Sequence, residues 1–118
     1  MVSIVGYISH VKDRKMSVND PKYLQMAAIL KAMGHPTRLF ILDQLKKHDY
    51  CVCELQEEIK ADMSTVSKHL SVLKNTGIIA GRKHNNQVIY SLVCPCVLDM
   101  YKCVTDLYGI QKKILKRS

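Results

Sequence analysis

Five segments carry apolar residues at helical spacing, two of them joined by only three residues, and the spacing switches to that of strands after Gly77. Together these features predict a mainly helical domain with one β-hairpin. A short turn between two helices, followed by such a hairpin, makes a winged helix-turn-helix. At 118 residues the chain has one domain's length, with a modest core that a partner subunit could enlarge. The domain is expected over residues 21–118, and residues 1–20, which lack a firm period, are expected to form an N-terminal arm.

Each element has local signals. Asn19-Asp20-Pro21 starts the first helix, with a capping side chain and a proline in the first turn. Leu24, Ala27, Ala28, Leu30 and Lys31 give it one face, and it ends near Met33-Gly34. Pro36 opens a second helix through Lys47, with Leu39, Leu42 and Leu45 at three-residue spacing. A short third helix, about Val52 to Lys60, turns Leu55 and Ile59 inward. Asp62 then caps a fourth, which carries Val66, Leu70 and Leu73 and stops at Gly77. Ile78 to Lys83 and Val88 to Leu92 read as strands around His84-Asn85-Asn86-Gln87, because asparagine tolerates the left-handed conformations of tight hairpins. The last helix starts soon after Pro95 and carries Leu98, Tyr101, Val104, Leu107 and Tyr108 on one side.

Charge points to a polyanionic partner. There are 18 basic and 10 acidic residues, a formal net charge of +8. Between Lys60 and Leu98 the only acid is Asp62, set against Lys60, Lys68, Lys74, Arg82 and Lys83. That window contains the fourth helix, whose N-terminal residues would meet base edges in the major groove of DNA. Met63, Ser64, Thr65, Ser67, Lys68 and His69 are the candidates there: hydroxyls for bases or phosphates, a cation for phosphate, an imidazole for either. Arg82, Lys83 and His84 at the hairpin tip suit a wing resting on the DNA backbone or minor groove.

No run approaches the roughly 18 apolar residues of a membrane span. The N-terminal residues lack the pattern of a signal peptide. Five cysteines, an odd number, are expected as reduced thiols in a cytoplasmic protein rather than as a disulfide framework. They form two groups, Cys51 with Cys53 and Cys94 with Cys96 and Cys103. Thiolates prefer soft ions such as As(III), Sb(III), Cd(II), Pb(II), Zn(II) or Cu(I). An enzyme is disfavoured, since no phosphate-binding glycine loop appears and no sequence context pairs a cysteine with a histidine.

The order Gly34-His35-Pro36-Thr37-Arg38-Leu39-Phe40-Ile41-Leu42, then Cys51-Val52-Cys53-Glu54-Leu55, then Ser64-Thr65-Val66-Ser67-Lys68-His69-Leu70, resembles the ArsR/SmtB family of metal-responsive repressors. The resemblance implies a homodimer formed through the first and last helices and an imperfect inverted repeat as operator. It also implies an effector that weakens DNA binding. In the family's arsenic branch a third cysteine follows the Cys-Val-Cys pair; here Gln56 stands in its place. The cadmium and lead branch draws cysteines from an N-terminal arm, and residues 1–50 contain none. The zinc ligands of a third branch are also missing, since Asp99-Met100-Tyr101 lacks the histidine and none follows His84.

Cys94, Cys96 and Cys103 are therefore the primary expected site, with As(III) as effector, and Cys51 and Cys53 the secondary one. A helix would hold Cys96 and Cys103 about 10 Å apart along its axis. A shared ion therefore requires Cys94-Pro95-Cys96 to be a non-helical loop folded back onto Cys103. Cys51 and Cys53, two apart, could share an ion only by preceding the third helix or unwinding its first turn. Two alternatives use the same thiols: a Cd(II), Pb(II) or Zn(II) sensor, and a redox switch pairing Cys94 or Cys96 with Cys103.

Overall fold

The computed structural model describes residues 17–117; residues 1–16 of the expected arm lie outside it. Helix α1 (Pro21–Met33) begins where Asp20 accepts the Lys22 amide proton at 3.0 Å, and closes with the Gly34 amide on the Lys31 carbonyl. Helix α2 (Pro36–Lys47) is capped by a histidine: Nδ1 of His35 accepts from the Thr37 amide at 3.1 Å. Strand β1 (Tyr50–Cys51) leads directly into α3 (Val52–Ile59), where the Glu54 carboxylate accepts the Cys51 amide proton at 3.0 Å. Lys60, with φ of 61°, turns the chain into α4 (Met63–Asn75). Gly77, at φ of 81°, ends α4.

The wing is the hairpin of β2 (Ile79–His84) and β3 (Gln87–Leu92). Asn85 and Asn86 both have positive φ, 49° and 65°, as a two-residue turn matched to strand twist requires. The sequence reading of one hairpin needs a correction. β1 pairs antiparallel with β3, Tyr50 opposite Tyr90 and Cys51 opposite Ile89, giving a three-stranded sheet in the order β1-β3-β2. A two-residue strand has no readable period; it exists because β3 offers a free edge.

The core lies between α2, α3, α4 and the sheet. Ile41, Leu42, Leu55, Val66, Leu70 and Leu73 are essentially inaccessible to solvent. On α2 the three-residue spacing of Leu39, Leu42 and Leu45 marks the buried side only in part, since Leu39 is 39% exposed while Ile41 is fully buried. The last helix also differs in its start. Pro95–Leu98 is a 3-10 turn that plants Leu98 in the core, and α5 (Asp99–Arg117) follows. The face expected to pack on α1 is exposed at Leu24 and Leu30, as is that of α5 at Val104, Leu107 and Tyr108.

Gly81 sits in the wing opposite Tyr90, where a Cβ would meet Val88 Cγ1 at 2.9 Å and the Tyr90 ring at 3.1 Å. Gly81→Val should spread β2 from β3 and cost about 1–3 kcal/mol by overpacking. A thermal melt checks this; an unchanged midpoint would mean that the strands absorb the extra methyls freely.

Candidate nucleic-acid interface and thiol groups

Helix α4 divides as its sequence suggests. Val66, Leu70 and Leu73 are buried, while Met63, Ser64, Thr65, Ser67 and Lys68 face solvent. The three-residue connection and the left-handed Lys60 hold α4 against α3, so the exposed residues lie on a helix fixed by its opposite face. The Ser64 and Thr65 hydroxyls both donate to the Asp62 carboxylate, and these bonds, Ser64's first, hold its carboxyl below the usual range. Both hydroxyl protons are thus engaged in the free protein, leaving their oxygens to accept.

His69 stands apart from the other residues of this set. It is half-buried and turned towards α2, with Nδ1 3.3 Å from Arg38 Nη1 and its ring 4.5 Å from that of His35. Arg82, Lys83 and His84 are exposed on the wing. Arg82 pairs with Asp49 at 3.2 Å. With both partners solvated, such a pair contributes no more than about 1 kcal/mol and leaves the guanidinium recruitable.

The thiols are placed less simply. Cys51 is buried in β1, whereas Cys53 is exposed on the first turn of α3. Burial, then a hydrogen bond with the Cys53 thiol, pushes the Cys51 thiol up. Cys94 is extended and Cys96 lies in the 3-10 turn, which brings their sulfurs together as a disulfide with Cα atoms 5.4 Å apart.

That pairing corrects two expectations, that all five cysteines stay reduced and that the redox partner of Cys94 or Cys96 is Cys103. Residues two apart across a proline fold onto each other more readily than onto a helix. Cys103 is exposed on α5, and among the described residues no three histidine, cysteine or acidic side chains gather closely enough to hold an ion. The loop is non-helical at Cys94, as expected, but within one chain it does not fold back onto Cys103.

Two side chains to which the sequence reading gave no polar role connect the elements. Tyr101 donates its phenol proton to the Leu39 carbonyl at 2.8 Å, tying α5 to α2. Burial, with Asp43 nearby, pushes that phenol up to about 12. Arg38 reaches both the end of α1 and His69. Arg38 lay within a recognised motif, yet only its distant partners reveal what it does.

A short-turn helix pair with an exposed, basic second helix and a basic wing defines a winged helix-turn-helix DNA-binding domain. Residues 35–80 match the family described as bacterial regulatory protein, arsR family. An uncharacterized HTH-type transcriptional regulator of Methanocaldococcus jannaschii, MJ1325, is 40% identical over 87 residues, covering 73% of this chain and 98% of that protein. The transcriptional repressor SmtB homolog of Synechocystis is 30% identical over 84% of this chain and 74% of its own length. In fold, the chain resembles the homodimeric winged helix-turn-helix domain of Mb0332 from Mycobacterium bovis. The TM-score is 0.69 at 21% identity, over 89% of this chain and 94% of that one. The chain belongs to the ArsR family of transcriptional regulators. Among the described residues no helix is long and apolar enough to cross a membrane.

Proposed function

We propose that this chain is a cytoplasmic transcriptional repressor that binds operator DNA as a homodimer and releases it when As(III) or Sb(III) binds cysteine thiolates. The carrying observation is α4, buried along Val66, Leu70 and Leu73 and exposed along Ser64, Ser67 and Lys68. In this reading Met63, Ser64, Thr65, Ser67 and Lys68 enter the major groove with His69 behind them, and Arg82, Lys83 and His84 contact the backbone. Its relatives are regulators, and we read it as a regulator rather than an enzyme.

The dimer reading rests on unpartnered apolar faces. Val104, Leu107, Tyr108, Ile110 and Ile114 on α5 are each more than half exposed, as is Leu24 on α1. An apolar hollow of about 480 Å³ between α1, α2 and α5 adds to that surface. Patches of this extent mark interaction sites. Residues 21–118 would form the DNA-binding and dimerising unit, with residues 1–20 as an arm.

For the effector, the fit is partial. The adjacent sulfurs of Cys94 and Cys96, once reduced, supply two of the three thiolates a pyramidal As(III) takes; Cys103 supplies the third only if loop or helix moves. A bound ion would act as a rigid link between thiolates. Any pull on the start of α5 would pass through Tyr101 to Leu39, one residue from Arg38, and so towards α4. Cys51 and Cys53 remain secondary, and Cd(II), Pb(II) or Zn(II) would use the same thiols. The Cys94–Cys96 disulfide favours a second reading, in which oxidation of this pair is itself the signal.

Fluorescence anisotropy of the reduced protein with DNA from upstream of its gene tests the proposal. Arsenite at about one equivalent per protomer should release the DNA; tight binding that ignores arsenite but responds to oxidant would select the redox reading. Lys68→Ala should weaken operator and random duplex alike and lower the slope of log affinity against log salt by about one. An unchanged slope would remove Lys68 from the phosphate contacts.

A further inference from the structure

Where α1 ends, α2 begins and α4 passes, three basic side chains meet. Arg38 Nε donates to the Ala32 carbonyl, one of the last-turn carbonyls of α1 that have no partner within the helix. Its Nη1 lies 3.3 Å from Nδ1 of His69 on α4. An arginine can only donate, so His69 Nδ1 must accept there and its ring proton must sit on Nε2. His35 is oriented independently: its Nδ1 accepts the Thr37 amide proton, and its ring lies 4.5 Å from that of His69, tilted by 42°.

We propose that Arg38 is a positioning residue for operator recognition, tying the recognition helix to the α1–α2 corner through neutral His69, so that a proton on His69 releases that tie. The inference rests on the reading of α4 as the DNA-contacting helix. A proton on Nδ1 would set one donor against another and a second positive charge beside the guanidinium. α4 would then keep its apolar face and its turn from α3 but lose its tie to the α1–α2 corner, and a small shift of its exposed face would weaken base contacts. Non-specific attraction to phosphate needs no such alignment, and the added charge would not weaken it.

The surroundings of His69 support a neutral ring. Burial, then His35, then Arg38 all lower its proton affinity. Arg38 faces it from α2 and His35 from the corner, while Lys68 precedes it on α4. Among the described residues no carboxylate acts on it to offset these. Because the folded protein binds this proton more weakly than the unfolded chain, the arrangement is intact above the ordinary histidine range near 6.5. It is lost as pH falls below that range.

The test compares an operator selected from a random duplex pool with an unselected duplex of equal length. Anisotropy at fixed ionic strength runs from about pH 8 to about pH 5, across the histidine range. The readout is the ratio of the two affinities, in which the general effect of added charge cancels. We expect the wild-type ratio to fall about tenfold over that range, and His69→Asn, which keeps an acceptor near Nδ1 but cannot titrate there, to give a flat profile. Arg38→Lys should lower the ratio about tenfold at the alkaline end, and in a His69→Ala background it should have no further effect.

A wild-type ratio independent of pH, a pH profile unchanged in His69→Asn, or additive effects of Arg38→Lys and His69→Ala would each overturn the proposal. The wild-type profile needs no variant to fold. If no sequence is enriched at the alkaline end, the DNA-binding reading fails and this proposal fails with it. An operator bound with a flat ratio overturns this proposal alone.

Discussion

Leu70→Ala is expected to lower the stability of the domain by about 2–5 kcal/mol, the usual cost of emptying a fully packed leucine site. Leu70 is 1% exposed, on the buried side of α4 between Val66 and Leu73. The same cluster contains Ile41 and Leu42 of α2, Leu55 of α3 and Ile79 of the wing. With Ala32 and Met33 of α1, Tyr50 of β1 and Leu98 of the 3-10 turn in it too, this cluster joins every major element, so a cavity there is felt by all of them. Domains of this size are stable by only about 5–15 kcal/mol, so the loss is a large share of the total. Urea denaturation checks it: the midpoint should drop while the slope is kept. Val72→Ala, on the solvent side of the same helix and 38% exposed, should cost well under half as much. Equal losses at the two positions would mean that the core does not lie where the structure puts it.

The second large effect concerns release rather than folding. In the reduced protein, Cys94→Ser and Cys96→Ser are each expected to abolish the arsenite response while leaving operator affinity within about twofold, since Cys94 lies beside Thr76 and Gly77 at the far end of α4 and neither residue is on its exposed face. Coupling between effector and DNA sites usually amounts to about 1–3 kcal/mol, or 5- to 150-fold in affinity. Against that range, loss of the response is easy to read. Cys53→Ser should keep the response, because Cys51 is buried in β1 while Cys53 is exposed on α3, so the two do not present a shared open site. Calorimetric titration with arsenite, repeated for Cys103→Ser, would show whether the third thiol takes part. If Cys53→Ser abolishes release and Cys94→Ser does not, the effector site belongs to the pair before α3.

Much of the architecture was legible because it is set by neighbours a few residues apart. Asp20 before Pro21 and Asp62 before α4 mark helix starts, and Gly77 marks an end, whatever the rest of the chain does. Asn85 and Asn86 suffice for the two-residue turn of the wing. Val66, Leu70 and Leu73 share a helix face by period alone, and the exposed side opposite them was visible for the same reason.

Other features depended on residues far apart in sequence. β1 was invisible because two residues carry no pattern, and its pairing is decided by the edge of β3 some 40 residues later. Leu39 and Ile41 are both apolar on one helix, and only the packing of α2 against its neighbours decides that Ile41 goes inside. The thiol groups show the same division. The cysteine spacing pointed to soft-ion chemistry, but which sulfurs meet depended on the 3-10 turn at Pro95 and the continuous helix after it. Arg38 is the clearest instance, since its partners are a carbonyl six residues back and an imidazole 31 residues on. The sequence by itself determined the order of the helices and the wing and the basic surface, and it grouped the thiols, because local backbone preference and composition are enough for these. Tertiary structure alone decided which side of α2 is buried, which sulfurs pair and what ties α4 to the α1–α2 corner, because each depends on packing between segments that local preference does not bring together.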